Sequence, residues 1–293
     1  MESLFLQQTV NGLIVGSIYC LMATGLTMIF GVMRISNFAH GDFLMIGAYF
    51  GIYTTALLSG WVGWLGAMFV AAVGVGALGL LAERVLFRPL MDRNSDIDVI
   101  MLSIGLSILL ANGAHLVFGA TPKMLMDPFH SKNINLFFFS TSLIRILSFL
   151  LALLAIAILQ IFLIKTKVGT AIRATSQNKN ASMLMGIDTD FIYAMTFVVG
   201  SALAGLGGVL YGTILAVSPS MGALPTLKAF CITIMGGMGN IRGAIYGGFI
   251  LGVAETLGGS YLSMDYKNAI GFIIIIVILL VMPEGLFGRR KSR

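Results

Sequence analysis

Lys165-Thr-Lys-Val-Gly-Thr-Ala-Ile-Arg-Ala-Thr-Ser-Gln-Asn-Lys-Asn-Ala-Ser-Met-Leu-Met-Gly-Ile-Asp-Thr-Asp190 is a polar island between two long apolar blocks. Nineteen charge-free residues, 146–164, precede it and thirty-seven more, 191–227, follow it. A helix needs about 20 apolar residues to cross a bilayer, so each block can cross at least once. The island is then a compact segment held between spans, where a soluble partner can push on the membrane part.

Composition agrees with a membrane solvent. Hydrophobic residues make up 58% of the chain and charged residues 10%, with mean hydropathy +0.97. A soluble domain usually carries about 25% charged residues. The expectation is an all-α, polytopic transmembrane bundle formed by residues 1–293 as a single domain, with no appended soluble domain. The start, Met1-Glu-Ser-Leu4, lacks the basic region of a signal peptide, so the first span is expected to be retained. Cys20 and Cys231 lie in apolar sequence and read as packing residues. The net charge of +6 comes from basic residues beside span ends, which writes topology and not nucleic-acid binding.

Reading from charge to charge places spans at 10–30, 38–58, 62–82, 99–118, 146–164, 191–217, 243–262 and 269–282. A ninth, imperfect crossing at 226–241 is interrupted by Gly236-Gly-Met-Gly-Asn240, with a re-entrant segment as its rival. Such breaks must be buried in protein or line a cavity. Placing the island, 86–98 and the basic tail 288–293 in the cytoplasm puts thirteen of eighteen Lys and Arg inside and five outside. That distribution favours nine crossings, with the N-terminus outside and the C-terminus inside. Small-residue faces (Gly200, Ala204, Gly208, Gly212; Ala244, Gly248, Gly252; Gly12, Gly16) predict close helix packing. A faint echo pairs the break after Phe30 with the break after Met235.

Polar residues near or within spans are the candidate pathway or gate positions: Asn37, His40, Asp42, Asn112, His115, Asn240 and Glu255. In Asn37-Phe-Ala-His-Gly-Asp42, Ser36 or Asn37 can cap a helix while Asp42 complements its dipole. His40 and Asp42 can equally serve a gate, and the two readings are compatible. Glu255 is the only acid well inside a predicted span, where a carboxylate needs a partner; Asn112 and His115 are candidates. A pathway-lining or bracing role is preferred to a proton relay. The chain has no Walker A loop and no HExxH, so neither ATP hydrolysis nor a metal site is expected in it.

The island reads as a short amphipathic helix with Ala174, Ala181, Leu184 and Met185 on its apolar side and Gly186 as its C-terminal stop. The segments Gly12-Leu-Ile-Val-Gly-Ser-Ile-Tyr19, Asn37-Phe-Ala-His-Gly-Asp42, Met185-Gly-Ile187, Gly236-Gly-Met-Gly-Asn-Ile-Arg-Gly243 and Pro283-Glu-Gly-Leu-Phe-Gly288 together resemble the permease subunit of bacterial ABC importers for branched-chain amino acids. The resemblance spans the chain. It implies a type II importer-like permease of eight or nine segments in the inner membrane. It makes 165–190 a coupling segment, with Arg173, Ala174, Asn180, Ala181, Leu184, Gly186 and Ile187 against the ATPase. It also implies a second, related permease subunit, two cytoplasmic ATPases that hold ATP and magnesium, and a periplasmic binding protein. Similar permeases serve urea, short amides and aromatic acids. The island departs from the family at Thr175-Ser-Gln-Asn-Lys179, where acidic residues are common. The rival class is a secondary transporter driven by protons through Glu255.

Overall fold

The computed structural model describes residues 2–91, 96–126, 133–136, 139–261, 263, 266–282 and 285–287. The tail 288–293, together with Pro283 and Glu284 of the terminal motif, lies outside the described residues. The helices, in order, are α1 (Glu2–Met33), α2 (His40–Leu57), α3 (Gly60–Ala82), α4 (Arg88–Met91), α5 (Asp96–Phe118), α6 (Leu143–Lys165), α7 (Lys167–Gln177), α8 (Lys179–Leu184), α9 (Thr189–Ile214), α10 (Ala223–Gly236), α11 (Ile241–Tyr261) and α12 (Lys267–Val281). A π-helical segment, Glu83–Phe87, joins α3 to α4. A short antiparallel hairpin, β1 (Asn133–Leu136) with β2 (Phe139–Ser142), adds the one strand pairing of more than a single bridge among the described residues.

Five helical stretches are long and apolar enough to cross a membrane: Leu4–Met33, Gly60–Met91, Ile97–Phe118, Leu143–Lys165 and Thr189–Ile214. The outer helices α5 and α6 leave most of their surface uncovered, as lipid-facing or partner-facing helices do, whereas α1 is buried over most of its length. The two ends of the bundle differ. One carries the end of α1, α4, α7, α8 and the break at 237–240, and we call it the basic end. The other carries the hairpin and the Lys123–Val217 bridge.

Small residues set the helix spacing. Gly12 and Gly16 of α1 meet Val253, Gly252 and Gly248 of α11. A Cβ on Gly16 would lie 3.0 Å from the Gly248 carbonyl oxygen, so this seam has no room for even alanine without a shift. Gly47 of α2 sits on Gly205 of α9, and Gly200 of α9 on Gly25 of α1. The predicted small faces are therefore packing seams that bring backbones into contact.

Two crossings are interrupted at depth, and this moves the break after Phe30 from the bundle end to its interior. The first residue of α2, His40, reaches the Met22 carbonyl oxygen with Nε2 at 3.1 Å. Met22 lies eleven residues before the end of α1, about 16 Å into the bundle. Residues 34–39 therefore run inward from the basic end before α2 starts. On the other side, 215–222 descends from the Val217 bridge, and α10 starts where Thr226 Oγ1 accepts the Gly41 N–H at 3.0 Å. Its 14 residues span about 21 Å, less than a full crossing. The N-termini of α2 and α10 thus meet inside the bundle. The two echoing breaks touch through Gly31 and Gly239, yet α2 restarts at mid-depth while α11 restarts at the basic end.

Candidate functional site

Three groups of residues carry the chemistry. The island is two helices, not one. Thr166 caps α7 by accepting the Gly169 N–H at 2.9 Å, and Asn178 caps α8 by accepting the Ala181 N–H at 3.1 Å. As a cap, Asn178 stands where the backbone turns between α7 and α8 (φ −155°). Gly186 adopts φ +79°. Its N–H donates to Met183 O at 3.0 Å and that of Ile187 to Ser182 O at 3.1 Å, a closed helix stop for which glycine is the natural residue.

The outcome is a firmly capped knob with an apolar tip. Leu184 is 88% exposed and Met185 82%, while Arg173, Asn180 and Ala181 are also exposed and Ala174 and Ile187 are half-buried. The apolar positions of the island thus point away from the bundle. Exposed apolar side chains clustered on one helix tip are unusual on a free surface. Behind it, Asp188 caps α9 through the N–H groups of Asp190 and Phe191. Arg88 then joins Asp190 to buried Glu83: its Nε lies 3.1 Å from Glu83 Oε1, and its Nη2 donates to Asp190 O at 3.0 Å.

The second group is a buried polar layer at mid-depth. Asn37, His40 and Asp42 are all buried. Asn37 Oδ1 accepts the Ala39 N–H at 3.1 Å, so it shapes the turn before α2; Ala39, and neither Ser36 nor Asn37, holds the cap position. Asp42 lies in the first turn of α2, against Gly222 at the cap of α10, so one carboxylate faces two converging helix N-termini. Asn37 Nδ2 and His40 Nδ1 are buried with no hydrogen-bond partner among the described residues.

Close by, Glu255 pairs with Lys228 of α10, Nζ to Oε2 at 2.7 Å. Tyr19 completes the triad: its hydroxyl accepts from Lys228 Nζ at 2.7 Å and donates to Glu255 Oε2 at 3.0 Å. This replaces Asn112 and His115 as partners of Glu255. It also moves Lys228, one of the five cations placed outside by the charge count, into the bundle. No local pattern revealed the pairing, since Tyr19, Lys228 and Glu255 come from three helices.

The third group stands apart. Asn112 and His115 are exposed on α5, where Asn112 Nδ2 donates to its own helix at Ile108 O, 2.8 Å. Asn240 caps the start of α11 by accepting the Gly243 N–H at 3.2 Å and ties in Phe287 O through Nδ2 at 2.9 Å.

An interrupted helical bundle with five helices long and apolar enough to cross a bilayer and a charged interior defines a multi-pass membrane protein. Residues 8–279 match the family described as branched-chain amino acid transport system, permease component, and the chain belongs to that family. It is 39% identical to the high-affinity branched-chain amino acid transport system permease protein LivH of Escherichia coli (strain K12), covering 97% of this chain and 96% of that protein. It is 37% identical to the corresponding protein BraD of Pseudomonas aeruginosa, over 97% and 96%. The fold alone is shared with a solved chain, PsaBC from Streptococcus pneumoniae in complex with Fab. That likeness has a TM-score of 0.50 and 14% identity, over 96% of this chain and 92% of that one.

Proposed function

We propose that this chain is the membrane permease subunit of an ATP-driven importer that carries branched-chain or other hydrophobic amino acids across a bacterial inner membrane. The observation that carries the mechanism is the capped knob, whose apolar tip at Leu184 and Met185 has no cover of its own. Its basic end faces the cytoplasm, in keeping with the positive-inside rule, so the N-terminus lies outside and the C-terminus inside. An ATPase seated on Arg173, Ala174, Asn180, Ala181, Leu184, Gly186 and Ile187 drives transport. ATP and magnesium belong to that ATPase, and this chain performs no hydrolysis and holds no cofactor.

A second permease subunit, a related paralogue, covers the exposed face of α5. Asn112 and His115 favour that placement, because polar side chains at membrane depth face protein or water, not lipid. The translocation path runs along this face, with a periplasmic binding protein delivering substrate. Asn37, His40 and Asp42 mark the point where two interrupted helices can part, and Asn240 and Glu255 brace the helices around it. Permeases for urea, amides or aromatic acids remain the alternative substrate classes. Proton coupling through Glu255 is disfavoured, since Lys228 neutralises the carboxylate where it sits.

The test is reconstitution of the chain with its paralogue, ATPases and binding protein in liposomes, with uptake of leucine, urea and phenylalanine compared. Leucine-stimulated ATP hydrolysis that is lost in Leu184→Asp supports the reading. Uptake that follows an imposed proton gradient without ATP would refute it.

A further inference from the structure

At the basic end a crevice of about 900 Å³ opens between α1, α6, α7 and the break before α11. Its floor combines Met28 and Phe30 of α1 and Leu163 of α6 with two polar residues, Thr27 and Gln160. Its mouth carries three exposed arginines from three elements: Arg34 after α1, Arg173 on α7 and Arg242 on α11. Among the described residues, none of the three has an ion pair. The floor reaches Thr27, seven residues up α1 from Arg34, or about 10 Å into the bundle. On the α6 side the rim residue Ile164 is more than half exposed, on a helix that leaves most of its surface uncovered.

Arg34 has an unusual backbone. It closes α1 with its N–H on Phe30 O at 2.8 Å and adopts φ +56°, the only positive φ among described non-glycine residues. Glycine is the residue favoured at such a helix end, and an L-residue there is strained. The chain accepts that strain to hold a guanidinium at the mouth of the crevice.

We propose that this crevice is a binding site for an anionic phospholipid of the inner leaflet, with its phosphate on Arg34 and Arg242 and an acyl chain along Met28, Phe30 and Leu163. Basic pockets between membrane helices on the cytoplasmic side take anionic headgroups in this way, and guanidinium forks match phosphate oxygens. An acidic segment of a soluble partner meets the arginines equally well but does not account for Met28, Phe30 and Leu163 lining the interior beside the uncovered face of α6. The inner-leaflet assignment rests on the orientation proposed above; the binding itself does not.

The test uses the protein purified with whatever subunits accompany it, exchanged into mixed micelles of phosphatidylglycerol and phosphatidylcholine with identical chains. Retained lipids are counted by native mass spectrometry, without substrate or transport, so a failed transport assay leaves the result standing. Phosphatidylglycerol should be retained at least tenfold over phosphatidylcholine. Arg34→Gly and Arg242→Gln should each weaken that retention about fivefold. The thermal midpoint of Arg34→Gly should not fall, because glycine relieves the backbone, so lost lipid cannot be blamed on lost fold. Equal retention of the two lipids, or retention unchanged in the double variant, overturns the proposal. So does displacement of the lipid by millimolar inorganic phosphate, which would make the ligand a free anion. Release of an associated ATPase from the double variant with lipid retention intact would assign the crevice to a protein contact instead.

Discussion

At the residue scale, the Lys228–Glu255–Tyr19 triad makes the sharpest demand. Removing one member of a buried ion pair leaves the other charged and uncompensated, at a cost of about 3–5 kcal/mol, whereas replacing both with apolar residues is often close to neutral. Glu255→Gln and Lys228→Met should therefore each lower the thermal midpoint in detergent strongly, and Lys228→Met with Glu255→Leu should recover most of the loss. Equal destabilisation by the double and the single variants would show that the pair is not the unit. Sequence placed Glu255 in the interior, because an acid in a charge-free run demands burial. Its partner stayed hidden: Lys228 stands at the start of a short apolar run, where a cation ordinarily marks a span end, and contact with Glu255 depends on α10 starting inside the bundle.

At the element scale, the knob is built from local signals and should respond to them. Asn178→Ala removes the α8 cap and should cost about 1 kcal/mol of local stability, visible as faster amide exchange across α8 with the spans unaffected. Gly186→Val meets no neighbouring atoms, so steric clash is not the issue. The positive φ is, and the variant should insert normally while binding the ATPase weakly in co-purification. Wild-type binding by both Gly186→Val and Ala181→Arg would reduce the knob to a loop. Gly186 was legible because a glycine after a run of helix formers is a strong stop signal. The break at Asn178 was not, since a mid-run asparagine looks like noise until its side chain is seen on the Ala181 N–H. The hairpin at 133–142 went unread for a related reason: its aromatic run carries no turn signature of its own.

At the scale of the whole molecule, the spans emerged from charge and apolar length; the structure shifts the ends of α3, α5, α6 and α9 by up to three residues and extends α1 by eight at its start. The count near nine holds only because two of the crossings are shared between an extended stretch and a shortened helix. Composition cannot show that, as 38–39 and 215–217 read as parts of the spans 38–58 and 191–217 and the run 191–227 carries no charge to mark a break. Orientation is checked by single-cysteine labelling from outside intact cells: a cysteine at Met124 should react and one at Lys179 should not, and the reverse pattern would invert the bundle.

The joint between α6 and α7 has a mechanical consequence. Only Thr166 separates the two helices, its hydroxyl both donating back to Phe162 O and accepting from Gly169, while Gly169 lies directly on the α6 backbone. Such an elbow is a crank, not a hinge. A push on the tip cannot be absorbed by bending at the corner, so it must turn the 23-residue shaft of α6 as one piece. Softening the corner by inserting two glycines after Thr166 should then leave ATP turnover running while uptake stops, an engine disconnected from its load.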